Sequence, residues 1–496
     1  MSRSTSLVVR YLAGLERQPD APAVQGPEQA LSHEQLWSRV SAMGSMLQAE
    51  FPLVGARIAL CAKNHVNHLS AYLAILLAGH VWVPLNPLNG RVINESIIGR
   101  VRPDRILFDR DCATDAVSWP GAVLLDGYAD NGIFEPRTRA ESDVAAIKFT
   151  GGSTGEPKGV LQTHGNMVAA IENLNAFYSF SASDCNLVVA PMTHGSSHYL
   201  LPVLAAGGRH YFPSGPGAGE VLDALADGCT IAFMPPTLIY KLLREASGPS
   251  RDFKSLRHLT YSAAAMPPER IEAAQAVFGS CLSTLYGLTE APLTITGLGP
   301  REMIDPELRG SVGRPCGSSE VEVVDGHGAV LPAGQVGEVR VKGPIVMAAY
   351  LDDTEHTQRA VRSGWLHTGD HGFLDDAGYL KLVGRASEMI ISGGFNVFPA
   401  EVENALAAIP GVIESCVFGV PDEYWGERIE AAVVLSVDDA LEDHAILDAV
   451  REAIGPVRTP KRLHRLAALP RNAVGKVVRA DLVAQLSETG PAGLKG

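Results

Sequence analysis

The sequence predicts an α/β protein: a large N-terminal domain of helix-covered sheets plus a β-rich subdomain, with a small mobile α+β C-terminal domain. Three features carry this. Apolar runs of strand length alternate with amphipathic stretches over most of the chain, the rhythm of a parallel or mixed sheet covered by helices. After about Pro306 the texture turns to short strands joined by glycine turns. Beyond Gly384-Arg385 about 110 residues remain, enough for a domain of their own.

In chain order, residues 57–61 read as a buried strand, 68–77 as a helix and 81–85 as the next strand. The rhythm returns at 187–190, followed by a helix over 198–204, and at 230–233, followed by a helix over 238–245. Val321-Glu-Val-Val-Asp-Gly326 and Gly337-Glu-Val-Arg-Val341 supply strands of the β-rich part. The last domain opens with a strand at 389–391 and a helix over 399–406. The expected division is therefore 1–385 and 386–496. No Gly/Ser tract marks the boundary, so a short hinge is expected rather than a tether.

Composition narrows the function. At ~150 residues per domain, 496 residues suggest about three domains, or one large body and a smaller one. A hydrophobic share of 46% against 19% charged excludes a disordered chain. The net charge of −14 argues against a general nucleic-acid binder, which presents a basic face. The most apolar stretch, 71–79, is far short of the ~20 residues of a membrane span. The opening MSRSTSLVVRYL lacks the apolar segment of a signal peptide. Seven cysteines without a CxxC pair offer no zinc cluster and fit a reducing compartment. A cytoplasmic protein with no membrane span is expected.

The most informative stretch is Thr150-Gly-Gly-Ser-Thr-Gly-Glu-Pro-Lys-Gly159. Glycines let backbone N–H groups approach an anion, Ser153 and Thr154 can donate hydrogen bonds, and Lys158 supplies charge. The loop is not a Walker A motif, because Pro157 precedes the lysine and Gly159 follows it. An ordinary surface turn would not concentrate these residues before Pro-Lys-Gly.

This loop resembles the signature of the adenylate-forming superfamily of acyl-CoA synthetases, peptide-synthetase adenylation domains and luciferases. The resemblance runs nearly end to end, and points to the acyl- or aryl-CoA ligase branch. Leu31-Ser-His-Glu-Gln-Leu36 and Leu77-Ala-Gly-His-Val-Trp-Val-Pro-Leu-Asn-Pro87 resemble its early structural motifs. Tyr286-Gly-Leu-Thr-Glu290 resembles the nucleotide and magnesium motif, and Gly364-Trp-Leu-His-Thr-Gly-Asp370 the ribose motif. Gly384-Arg385 opens the hinge motif, and Arg471-Asn-Ala-Val-Gly-Lys476 matches the C-terminal lysine motif. Two departures are Gly151, where relatives usually carry a hydroxyl, and the hinge residue Ser387, where they usually carry Asp or Lys.

The resemblance implies two steps with ATP, Mg²⁺ and CoA. A carboxylate attacks the α-phosphorus of ATP, giving acyl-AMP and pyrophosphate; a thiol then attacks the acyl carbon and releases AMP. An anion must approach a polyanion, so preorganised cations and N–H groups matter more than a general base. By resemblance, the nucleotide side comprises Thr150, Ser153, Thr154, Gly155, Lys158, Ala264, Ala265, Tyr286, Gly287, Asp370 and Arg385. Tyr286 would abut adenine, unless it is a core aromatic. Asp370 would accept from the ribose hydroxyls and Arg385 would reach the ribose or phosphates. Thr289 would donate to the α-phosphate, Glu290 would bind Mg²⁺, and Lys476 would sit over the transferring phosphate and the substrate carboxylate.

The acceptor side is read separately. Ser392-Gly-Gly-Phe-Asn396 follows a strand and would let a pantetheine arm pass beside Gly393 and Gly394, unless it is a plain turn. Tyr424-Trp-Gly426, with Trp425, resembles a segment touching the CoA nucleotide in aryl-CoA ligases. Arg458, Lys461 and Arg462 form a basic cluster suited to its phosphates or to solvent. The acyl pocket, by resemblance, involves Pro191-Met-Thr-His194, Pro236, Leu238, Ser262-Ala-Ala-Ala265 (with Ala263), Leu285, Gly287 and Ala291-Pro-Leu293. These are small or apolar, so an apolar and even bulky acid is expected. His194 reads equally as a pocket wall and a core histidine.

The reading is an AMP-forming acyl-CoA ligase acting on small molecules, with a homodimer left open. Its rivals are a free-standing adenylation enzyme serving a carrier protein or an amine, and a catalytically silent binding homologue. Lys476, Asp370 and Glu290 together argue against the last.

Overall fold

The computed structural model describes residues 7–27, 29–112, 118–119, 121–125, 133–150, 157–215, 217–246, 251–436, 441–472 and 475–488. Two large sheets share a core. One has seven strands in the order Ala349–Tyr350, Lys158–Thr163, Val144–Thr150, Val81–Leu85, Arg57–Cys61, Arg105–Phe108, Ala122–Leu124. The other has nine, and its centre runs Leu282–Tyr286, His258–Tyr261, Ile231–Met234, Cys185–Leu187, Arg209–Tyr211, all parallel. The helix Val66–Leu77 explains how they join. Every residue of it except Asn67 is buried, and it packs with Val24 of one sheet and with Leu60 and Trp82 of the other. A helix apolar on all sides belongs in such an interior.

The β-rich part is a third sheet of Glu320–Val324, Gly337–Lys342, Trp365–Leu374 and Val361–Arg362, with Leu380–Arg385 paired to Trp365–Leu374. A 3₁₀ turn, Ala386–Glu388, contains Ser387 and follows directly. The fourth sheet holds Phe395–Val397, Ile390–Ser392, Gly426–Leu435 and Val412–Asp422, with Arg462–Arg465 alongside in parallel. Its core forms with the helices Pro399–Ala407 and Asp443–Ile454. The Arg270 guanidinium donates to Val412 O at 3.2 Å, and a Cβ on Gly475 would lie 3.3 Å from Thr237 Oγ1, so this part is seated on the nine-stranded sheet's helices.

Three local expectations need correction, the first being the strand expected at 230–233, which is Ile231–Met234. The strand expected at 187–190 is Cys185–Leu187. Beyond it Val188 N still donates to Tyr211 O at 2.9 Å, and the Asn64 amide then serves as partner, donating to Ala190 O at 2.8 Å and accepting from Met192 N at 2.9 Å. The strand expected from 389 begins at Ile390, because the 3₁₀ turn precedes it.

Asn166 ties the third sheet's flank to the central core. Its amide donates to Pro344 O and Val346 O, both at 2.8 Å, and its Oδ1 accepts from Thr163 N. Asn166→Ala leaves these groups without partners in a buried place, at about 2–4 kcal/mol. The expected outcome is a lower urea midpoint at unchanged m-value.

Candidate active site

The phosphate-loop candidate sits on a hairpin in which Thr150 and Lys158 are register partners. Gly151, Ser153, Thr154 and Gly155 lie outside the described residues. At the hairpin base the Lys158 ammonium stands 5.3 Å from the Tyr350 ring centre. The Tyr350 hydroxyl donates to Glu290 Oε1 at 2.7 Å, and Met347 N donates to Glu290 O at 2.7 Å. Gln162, on the same hairpin, donates to Thr289 O at 2.8 Å. Thr289 and Glu290 are thus fixed against the loop's stem, and one carboxylate oxygen of Glu290 carries the Tyr350 bond. Burial, then the Glu290 charge, raises the Tyr350 pKa, so its hydroxyl remains a donor.

A second carboxylate organises the facing side. Asp370 is 7% exposed; its Oδ2 accepts from the Tyr286 hydroxyl at 2.6 Å and its Oδ1 from Arg385 Nε at 2.9 Å. Strand register delivers the arginine, since Asp370 and Arg385 are direct partners. Tyr286 ends a strand of the nine-stranded sheet, and its ring packs among Val160, Ala291 and Ile295. Its hydroxyl orients Asp370. At Gly287 a Cβ would lie 2.3 Å from Leu293 N, so two backbones approach where only glycine fits.

Lys476 enters from the C-terminal part, its N–H donating to Asn472 Oδ1 at 2.9 Å. Its ammonium feels Arg385 and Arg479 on one side and Glu388 and Asp370 on the other. Loss of water around the amine, then the Arg385 charge, pulls its pKa below the ordinary lysine value.

The acyl-pocket residues do not converge fully. Leu285 and Leu293 share a cluster with Phe233, Tyr199 and Tyr178, whereas Leu238 packs into the core around Ile239 and Leu242. A Cβ on Gly195 would meet Phe233 Cζ at 3.0 Å and Leu293 Cδ2 at 3.1 Å, so this turn packs closely against both side chains. Pro236 is buried at the start of its helix. Ala263, Ala264 and Ala265 are exposed, and Ala263 sits at φ +71°. His194 bonds to Thr193 Oγ1 at 2.8 Å, and burial lowers its pKa to about 4, so it is neutral.

On the acceptor side Ser392 is buried, Gly393 N donates to Trp425 O at 2.8 Å, and Lys461 lies 5.1 Å from the Trp425 ring centre. Gly393, Trp425 and Lys461 come together. Arg458 does not join them as a free cation, because its Nε donates to Glu401 Oε2 at 3.0 Å. Gly394 is exposed at φ +82° with open space around its Cβ direction. Sequence reasoning missed Gln162, Tyr350 and Lys148; the one available signal was a lysine inside the apolar strand Val144–Thr150.

Residues 13–351 match the AMP-binding enzyme family, and residues 401–476 match the AMP-binding enzyme C-terminal domain. The chain is 30% identical to the medium/long-chain-fatty-acid–CoA ligase FadD8 of Mycobacterium tuberculosis, covering 94% of this chain and 87% of that protein. The structure resembles amide bond synthetase McbA from Marinactinospora thermotolerans at a TM-score of 0.89 and 27% identity, over 97% of this chain and 99% of the other. It also resembles the o-succinylbenzoate CoA synthetase MenE of Bacillus subtilis, solved with its acyl-adenylate intermediate, at a TM-score of 0.86 and 26% identity, over 95% and 97% of the two chains.

The Gly287–Leu293 contact gives a test of the site's geometry. Gly287→Ala is expected to keep the far-ultraviolet dichroism spectrum but abolish the rise in Tm on adding ATP. Gly310→Ala, whose Cβ meets nothing within 4 Å, should keep it.

Proposed function

We infer, for a chain that belongs to the AMP-binding enzyme family, an ATP-dependent acid–thiol ligase that adenylates a carboxylic acid and passes the acyl group to CoA. The observation that carries it is the Tyr286–Asp370–Arg385 network, whose arginine charge reaches Lys476, together with Lys158 and Glu290 held at Tyr350. Each group answers a physical demand of the first step. The carboxylate of the acid, ionised near neutral pH because its pKa is about 4, attacks the α-phosphorus, and pyrophosphate leaves. Lys158 and Lys476 supply positive charge where negative charge accumulates, without reorganisation at the moment of reaction. Asp370, already oriented by Tyr286 and Arg385, accepts from the ribose hydroxyls.

Glu290 fits Mg²⁺, a hard cation that takes one or two carboxylates plus phosphate oxygens, since Tyr350 bonds only one of its two oxygens. Bound there, the ion would neutralise phosphate charge.

In the second step the thiol sulfur attacks the acyl carbon and AMP leaves. Rotation about the turn carrying Ser387 would withdraw Lys476 and bring Gly393 to the acyl-AMP. The Gly393–Trp425–Lys461 cradle supports CoA, offering a narrow path, a stacking face and a cation. The amide bond synthetase likeness keeps an amine acceptor as the second reading. Seven free, buried cysteines support a reducing, cytoplasmic setting, and among the described residues no helix is long and apolar enough to cross a membrane.

The deciding experiment is pyrophosphate release over a panel of benzoates, phenylacetates, cinnamates and C4–C12 fatty acids, with and without CoA. Acid-dependent pyrophosphate with an acyl-CoA product is expected; acid-dependent pyrophosphate without thioester supports the amine or carrier reading. Lys476→Ala should lower adenylation by about 10²-fold or more while acyl transfer from supplied acyl-AMP falls much less. Because the Lys476 pKa is depressed and the cationic form is the useful one, adenylation should decline with rising pH before the ordinary lysine value of about 10.4 is reached. For the thiol path the clean variant is Trp425→Ala, because φ +82° makes any side chain at Gly394 strained. It should raise the KM for CoA about tenfold and leave acyl-AMP formation unchanged; unchanged CoA use would remove Trp425 from the acceptor site.

A further inference from the structure

We propose that Lys148 is a positioning residue for the acid: its amine clamps the turn that carries His194 and so sets how the acid, but not ATP, is bound. The inference rests on the adenylation reading above. Lys148 is 5% exposed in the strand Val144–Thr150, two residues before the phosphate loop. Its Nζ donates to Ser197 Oγ at 2.8 Å, lies 3.0 Å from His198 Nε2 and 3.5 Å from His194 O, and stands 5.2 Å from the Trp82 ring centre. The Ser197 hydroxyl in turn donates to His194 O at 2.7 Å. Three acceptors and an aromatic face thus surround an ammonium, and all three acceptors belong to one turn and the helix start that follows it.

The amine is costly where it is. No carboxylate is among these partners, and burial draws its pKa down to about 7. A methionine would fill the same volume without that penalty. What the lysine adds is the geometry of the turn. His194 N donates to Pro191 O, and Ser197 N and His198 N close the following turns, so without the clamp the turn's backbone bonds alone hold the imidazole. The turn also brings Gly195 against Phe233 and Leu293. Residues 148 and 150 share a strand face, so one strand holds the acid-side turn and the stem of the ATP loop.

The test is Lys148→Met, with Ser197→Ala as the variant that leaves the lysine in place. With the best acid of the panel, both should raise the KM for the acid about tenfold and leave the KM for ATP and kcat within about twofold. Hydrogen exchange, which needs no acid, should speed up at amides 194–198 and stay unchanged at 158–163. Equal rises in both KM values, a loss confined to kcat, or unaltered exchange at 194–198 would overturn the clamp. Wild-type protein that releases no acid-dependent pyrophosphate would instead overturn the adenylation reading, and the exchange result would still decide whether the clamp exists. Should Lys148→Met fail to fold, Ser197→Ala carries both measurements.

Discussion

The buried carboxylate of Asp370 is the constraint on which the site depends. A carboxylate that is 7% exposed needs partners in place of water, and its two partners come from different places. Tyr286 is the last residue of a nine-stranded-sheet strand, and Arg385 is the last residue of the third sheet before the 3₁₀ turn. Pairing Asp370 therefore fixes how two sheets meet and where the chain departs toward the C-terminal part. Removing one partner would leave the other half of a buried network exposed to the full desolvation penalty.

The Glu290 network does the same work on the opposite side with weaker means. Tyr350 reaches Glu290 because its strand pairs with the Lys158–Thr163 strand, setting Tyr350 opposite Val160. That pairing places the ring beside Lys158 as well, so one aromatic residue couples the phosphate-loop lysine to the carboxylate. The two networks share neighbours, since Tyr286 begins the segment that ends at Glu290.

Much of this was legible in the sequence, for an identifiable reason. Strands such as Arg57–Cys61 and Val81–Leu85 are buried, so their composition is uniform and their ends are marked. The segments around Asp370, Glu290 and Lys476 were legible because their candidate residues lie close together in sequence, and neighbouring residues survive as a pattern. What stayed hidden was made by pairing across the fold. Tyr350 and Gln162 act through partners 60 and 127 positions away, and no local spacing records them. The end of the strand at Leu187 was lost for the same reason, because Asn64, the partner of the chain beyond it, lies far away in sequence. The basic cluster at 458–462 showed in the sequence only as adjacency; across the fold Glu401 pairs with Arg458 and Trp425 lies against Lys461.

Charge pairing also shapes the surroundings of Lys476. Lys476 and Arg385 repel one another, and Arg479 adds to that repulsion. Arg479 is itself held by Glu388 at 2.7 Å and by Glu403 at 2.8 Å, so Lys476, Arg385 and Arg479 stand among three carboxylates. Asp370 is similarly committed to Arg385 and Tyr286. On the proposed adenylation, a triphosphate reaching Lys476 would add negative charge to this paired group, so its binding and the seating of the C-terminal part would favour each other. Once pyrophosphate had left, that attraction would shrink, and the lysine would be held less firmly. The charge that draws Lys476 in would then be carried off by the leaving group, a reason for the arrangement to open before the thiol arrives.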